Sequence, residues 1–172
     1  MASSINAIGG AYSVGKPKYD YFPIDESHPC YASDCYAASK WAGEQLCDTF
    51  VRQYPDLSIV SLRIHGVVSS GKIAMEHYKN KNEDVPKILW GFVQGKDTAR
   101  AFVQSLNVTW NGHEACYIVA PVHCAFDKKA EDLAEENYPE VKNKGVAGSA
   151  GFFDCSKAER LIGWKHSAVD TS

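Results

Sequence analysis

Apolar positions change period along the chain, and the changes mark its elements. From about Ser33 to Tyr54, Ala37, Ala38, Ala42, Leu46 and Phe50 recur at helical spacing. Ser33 and Asp34 are N-cap residues and Pro55 is a stop, so a helix of about five turns is predicted. Leu57 to Ile64 is a short apolar, β-branched run and predicts a buried strand. A helix running straight into a buried strand is the rhythm of a parallel α/β sheet. Asp97 is read as the cap of a helix from Ala99 to Leu106, and Cys116 to Ala120 as a second strand closed by Pro121. Two more helices are predicted, Asp127 to Asn137 and Ser156 to Ile162, the last stopped by Gly163. Residues 1–16 read as a glycine-rich loop leaving a strand, 17–34 as an extended surface connection with three prolines, and 72–96 as mixed. The sum is one α/β domain over residues 1–172, with about four helices and a small parallel sheet of two core strands. So thin a sheet has long edges, which predicts a second copy or a partner chain to cover them.

Composition narrows the class. A length of 172 residues suits one domain that buries roughly 70% of its unfolded surface. Eighteen Lys and Arg against 21 Asp and Glu give a net charge of −3, which argues against a nucleic-acid partner. No stretch approaches the roughly 20 apolar residues of a membrane helix, and MASSINAIGG lacks the features of a signal peptide. A cytoplasmic protein is expected, its six scattered cysteines reduced and mostly buried. On that reading the sequon Asn107-Val108-Thr109 carries no meaning.

The sharpest chemical feature is Tyr36-x-x-x-Lys40 at the start of the long helix. A spacing of four puts phenol and ammonium on one helix face. A cation held beside a phenol favours phenolate, and such a group exchanges protons with a hydroxyl or carbonyl. Ser4, upstream, is placed to donate a hydrogen bond to the same substrate oxygen. By itself the pair also fits an ordinary amphipathic helix.

The surrounding residues add a resemblance. Tyr21-Phe-Pro-Ile-Asp-Glu-Ser-His-Pro29, then Ser33-Asp-Cys-Tyr36-Ala-Ala-Ser-Lys40-Trp-Ala-Gly-Glu44, resembles the catalytic segment of extended short-chain dehydrogenases, the NAD-dependent epimerase/dehydratase family. Ser3 to Gly9 is similar to the end of that family's fifth strand, and Ser58 to Arg63 to its next strand. Trp90 to Val93 with Lys96 to Arg100, and Phe153 to Trp164, resemble its short strand, capped helix and C-terminal helix. The matches run from residue 3 to about residue 166. The resemblance implies a truncated Rossmann-like fold, with Tyr36 as acid/base, Lys40 as its partner and the group that holds a nicotinamide ribose, and Ser4 as oxygen donor. The compact C-terminal part looks more like small sugar-acid dehydrogenases than nucleotide-sugar epimerases.

Two departures shape the functional expectation. No Gly-x-x-Gly-x-x-Gly loop occurs, so by the resemblance the chain starts where the fifth strand ends and the dinucleotide half is absent. Where relatives often place Asn or Pro, the chain has His65, a further acid/base candidate or a packing residue. Three readings follow. The first is an enzyme without a cofactor that uses Ser4, Tyr36 and Lys40, with His65 as a further candidate, for redox-neutral isomerisation, cyclisation, dehydration or lyase chemistry on a small molecule. The second is an NAD(P)-dependent epimerase, dehydratase or sugar-acid oxidoreductase whose other half is supplied separately. The third is a non-catalytic binding subunit. His113, Cys116, His123 and Cys124 match no zinc spacing, so no metal is expected. Cys35 is read as a packing thiol, the four tryptophans as core or interface anchors, and Asp127 to Glu136 as a solvated face.

Overall fold

The computed structural model describes residues 1–80, 84–108 and 110–169; Lys81 and Thr109 of the sequon lie outside the described residues. The chain opens with strand β1 (Ala2–Ser4), a 3-10 turn (Ile5–Ile8) and strand β2 (Tyr21–Phe22). Helix α1 (Cys35–Gln53) leads into β3 (Ser58–Ile64) and β4 (Val67–Val68). Then come α2 (Gly71–Asn80), β5 (Val93–Gln94), α3 (Gly95–Ser105) and β6 (Gly112–Ile118). Helix α4 (Ala130–Asn137), β7 (Lys142–Asn143) and α5 (Ser156–Ile162) complete it. The main sheet is parallel, in the order β1-β3-β6, with Ser4 opposite Ile64 and Ile64 opposite Ile118. Two short parallel pairs, β2 with β7 and β4 with β5, lie outside it.

The two faces of this sheet differ because side chains alternate along a strand. Val60, Leu62, Cys116 and Ile118 point to one face and pack with Ala101 of α3 and Ala158 and Ile162 of α5. The other face carries Ser61, Arg63, His113 and Tyr117, and α1 lies over it. Polar groups taken out of water need partners. Helix α1 supplies them from positions four apart: Lys40 reaches the Ala2 carbonyl, Glu44 the Arg63 guanidinium and Asp48 the His113 ring.

This overturns the orientation implied by the apolar period of α1. Ala37 is buried, but Ala38, Ala42, Leu46 (56% exposed) and Phe50 (43% exposed) face outward, while Glu44 and Cys47 face in. The demand of two buried cations or dipoles in the sheet outweighs the apolar stripe. Asp34 does cap α1, accepting from the Ala37 N–H at 2.8 Å, an interaction worth about 1 kcal/mol. Both outer sheet edges are met by side chains of the chain itself. Lys40 donates to Ala2 on β1, and Glu26 accepts the Tyr117 N–H on β6 at 2.8 Å.

Other expectations change as well. Residues 17–34 are no surface connection: Tyr19, Phe22, Ile24 and His28 are buried in a second core with Trp90, Phe152 and Tyr138. The mixed stretch contains α2, so the α-helices among the described residues number five rather than four, and β1 makes the sheet three-stranded. Asp97 is not a cap but sits fully buried in the first turn of α3. There it accepts from the Ser167 N–H and hydroxyl and pairs with Arg100, tying the C-terminal segment to the helix. Cys35 is exposed, whereas Cys47, Cys116 and Cys124 are buried; all six thiols are free. Trp90 and Trp164 are core residues, and Gly163 ends α5 in the left-handed conformation (φ 68°), as expected. The charged residues of α4 face solvent on Asp132, Glu135 and Glu136. Among the described residues, no helix is long and apolar enough to cross a membrane.

Candidate active site

Strand β1 ends where the chain tightens into the 3-10 turn, and Ser4 caps that turn. Its Oγ accepts from the Asn6 N–H at 3.2 Å and from Asn6 Nδ2 at 3.4 Å, which occupies lone pairs and leaves the hydroxyl proton free. Asn6 is itself held by the Ala11 N–H on Oδ1 at 2.9 Å. Tyr36, in the first turn of α1, is 43% exposed and its hydroxyl bonds to no described residue. The edge of the Tyr12 ring meets it at 5.4 Å between centroids and steadies its plane.

Ser4, Tyr36 and His65 border one cleft of about 500 Å³, with Asn6, Tyr12 and Ile88. It lies beyond the carboxyl ends of β1 and β3, where open parallel sheets take their ligands. Lys40 stands one turn further along α1. Its ammonium is 5.6 Å from the Tyr36 ring centre and donates to the Ala2 carbonyl at 3.2 Å. The structure therefore gathers three of the four expected residues at the cleft and sets the fourth behind Tyr36. Asn6 and Tyr12 were not foreseen. The signal for Asn6 was a lone polar residue inside the buried run Ile5 to Ile8; the loop position of Tyr12 carried none.

His65 contributes no free nitrogen. Nδ1 accepts the Gly66 N–H at 2.6 Å and Nε2 donates to the Ile88 carbonyl at 3.0 Å, which sets the tautomer. Burial pushes the imidazole down to about 4 from its ordinary 6.5, against the opposing pull of the Ile88 carbonyl. The unfolded chain takes a proton near 6.5 and the folded chain only near 4. Stability from this group is therefore complete above about pH 6.5 and lost as pH falls toward 4, by about 3 kcal/mol. Burial lowers His28 and His123 too, so they add to the same slope. Melting temperatures between pH 7 and 4 should fall, and His65→Leu should flatten the curve; a parallel curve for that variant removes His65 as a cause.

Directly behind the cleft, Arg63 is fully buried with Glu44. Nε and Nη2 reach the two carboxylate oxygens at 3.0 and 2.8 Å, Nη1 reaches the Tyr117 hydroxyl, and Ser3 donates to Glu44 at 2.5 Å. Burial opposes the guanidinium charge, yet the hydrogen bonds Arg63 donates to Glu44, with the charge of that carboxylate, prevail and raise Arg63 above its ordinary value. The network joins β1, α1, β3 and β6 next to Ser4.

A second cluster has the connectivity of a hydrolase triad. Ser61 Oγ and His113 Nε2 lie 2.7 Å apart, and His113 Nδ1 lies 2.7 Å from Asp48 Oδ1. Ser61, however, has 0% exposure and borders none of the clefts described, so no acyl group reaches it. A fluorophosphonate should leave the folded chain unlabelled at Ser61, as intact-mass spectrometry would show. Labelling there would give the cluster a chemical role. His113 is thus engaged with Asp48 while Cys116 lies in the apolar layer on the opposite face, so the sequence-adjacent His and Cys residues do not converge.

The sequence model of the NAD dependent epimerase/dehydratase family matches residues 6–113. The chain belongs to that family. Among curated proteins no relative matches. Solved structures share the fold. The UDP-glucose 4-epimerase of Bifidobacterium longum, in complex with NAD+ and UDP, superposes with a TM-score of 0.61 at 18% identity, covering 99% of this chain and 59% of that one. The UDP-glucose 4-epimerase of Thermotoga maritima, with UDP-glucose, gives 0.59 at 19% identity over 96% and 57%. The UDP-glucuronic acid 4-epimerase of Bacillus cereus, with NAD, gives 0.56 at 17% identity over 97% and 55%. The chain therefore spans a little over half the length of these family structures.

The family name implies a nicotinamide dinucleotide, and the described residues meet it only in part. The resemblance assigns the nicotinamide ribose to Lys40, whose ammonium here donates to the Ala2 carbonyl. An open helix N-terminus is the ready-made site for a pyrophosphate. Helix α1 opens under the Asp34 carboxylate, α3 and α4 carry Asp97 and Glu131 in their first turns, and α2 is closed by Ser70 on the Ile73 N–H. These four helix starts therefore leave no open cradle for it.

Proposed function

We propose that this family member works by proton transfer at a hydroxyl or carbonyl of a small molecule, redox-neutrally and with no dinucleotide bound by its own residues. One observation supports this above the others: Ser4 and Tyr36 open onto a single cleft with both hydroxyl protons uncommitted. A substrate oxygen set against Ser4 accepts its hydrogen bond. Tyr36 Oη gives that oxygen its proton, or takes one from it, and exchanges with water at the open mouth. Lys40 places a positive charge 5.6 Å from the ring centre. Isomerisation, cyclisation, dehydration and lyase cleavage all pass through such a step. His65, with both nitrogens engaged, serves as a wall and not as a base. Six free thiols accord with a reducing, cytoplasmic setting.

A second reading has a specific feature in its favour. Strand β1 stands at the edge of the sheet, and the chain spans 59% of the Bifidobacterium longum enzyme. A further strand from another chain, or from a second copy, would extend the sheet at β1 and supply the dinucleotide site of an NAD(P)-dependent enzyme. Melting the chain alone and with NAD+, NADH, NADP+ or NADPH separates the two. A dinucleotide at about 100 times its dissociation constant adds about 2.7 kcal/mol of stability. We expect no shift; a shift with any of the four would replace the first reading with the second.

A further inference from the structure

Resting on that reading, we propose that the substrate carries an apolar arm, seated in a second cavity on the far side of His65 from Tyr36. This cavity, of about 270 Å³, shares His65, Gly66 and Ile88 with the reactive cleft, so the two are contiguous around the imidazole. Its walls include Val68, Ala74, Val85 and Phe92, with Val67 at its rim. The Cys124 thiol also lines it, and burial pushes that thiol up to about 12, so it offers an uncharged surface. His65 adds no polar atom, because backbone groups occupy both its nitrogens.

The wall is held in a costly conformation. Leu89 and Trp90 are consecutive non-glycine residues in the left-handed region, at φ 53° and 50°, and both are buried. Such residues persist only where the surroundings hold them, and they gather at ligand-shaping segments. They follow Ile88, whose carbonyl anchors the His65 ring, and precede Gly91. A Cβ at Gly91 would lie 2.5 Å from His65 Nε2, so only glycine lets the imidazole stand between the two spaces.

Charge argues for the class of ligand. Among the described residues lining the two cavities there is neither lysine nor arginine. The one carboxylate, Asp84 at the rim, pairs with Lys87 and faces an anion unfavourably. Beyond the single His77 imidazole, a diphosphate would meet no basic group in the described lining, because both nitrogens of His65 are engaged, whereas an alkyl or aryl group leaves water for a mostly apolar wall.

The test is a binding series on the 172-residue chain, read by ligand-observed NMR with 2-butanone, 2-hexanone and 2-octanone. Affinity should rise about threefold to fourfold per methylene until the cavity is full. Val67→Trp, at the exposed rim, and Ala74→Phe, within it, should each flatten the series. Tyr36→Phe should leave the increment per methylene unchanged, whatever it does to the carbonyl end, because Tyr36 does not line this cavity; that separates failure of the subsite from failure of the acid–base reading. A flat series in the parent chain overturns the proposal. So does a graded series that Val67→Trp leaves intact, or binding of inorganic pyrophosphate that displaces 2-hexanone.

Discussion

Tyr36→Phe is expected to lower turnover by about 10²–10⁴-fold, the usual contribution of a positioned general acid or base. Its melting temperature should stay within about 1–2 °C of the parent, since a substitution at a half-exposed side chain changes stability by about 0.5 kcal/mol or less. The contrast between the two readouts carries the weight. The phenol ring keeps its contact with Tyr12, and only an oxygen without a partner among the described residues is removed. Ser4→Ala is the companion, but it also deprives the Asn6 N–H of its acceptor, so part of its loss would come from the turn. Full activity in Tyr36→Phe would remove the residue from the chemistry and with it the proposed step.

The largest effect on stability should come from the buried pair beneath the cleft. Removing one partner of a buried ion pair leaves the other charged and unsolvated, at a cost of about 3–5 kcal/mol. For a domain of this size that is a fall of about 6–20 °C in melting temperature for Arg63→Met or Glu44→Leu. The double variant Glu44→Leu, Arg63→Met should recover much of the loss, because two apolar groups of similar volume need no partner. Differential scanning calorimetry of the three variants would decide. Additive losses in the double variant would show that the pair itself is not the source. Ser3 donates to Glu44 and precedes Ser4, so the pair also sets where β1 ends relative to α1. Glu44→Leu should accordingly reduce turnover even well below its melting temperature.

The elements themselves were largely legible in the sequence. Asp34, Pro55 and Gly163 are local punctuation, and they act through backbone geometry that needs no tertiary partner. The two main strands, β3 and β6, announced themselves as apolar runs. Residues 17–34 misled for the opposite reason: prolines and polar residues signal a surface loop, yet Phe22 and Ile24 are pinned in the core by Trp90 and Phe152 contributed from far along the chain. Asp97 misled because a carboxylate in a first turn looks like a cap until Ser167, 70 residues on, claims both its oxygens.

At the site the division is similar. The spacing of Tyr36 and Lys40, and the place of Ser4 at a strand end, follow from helix and strand periods, so sequence alone determined them, together with the family they belong to. Sequence could not determine which face of α1 turns inward. Its apolar stripe pointed one way, and the need of Arg63 and His113 for Glu44 and Asp48 pointed the other. That choice is made across three strands, where an unpaired buried charge costs more than several exposed alkyl groups. The same holds for His65: whether an imidazole serves as base or wall depends on what meets its two nitrogens. Here those are the Gly66 amide and the Ile88 carbonyl, brought together only when the chain is folded.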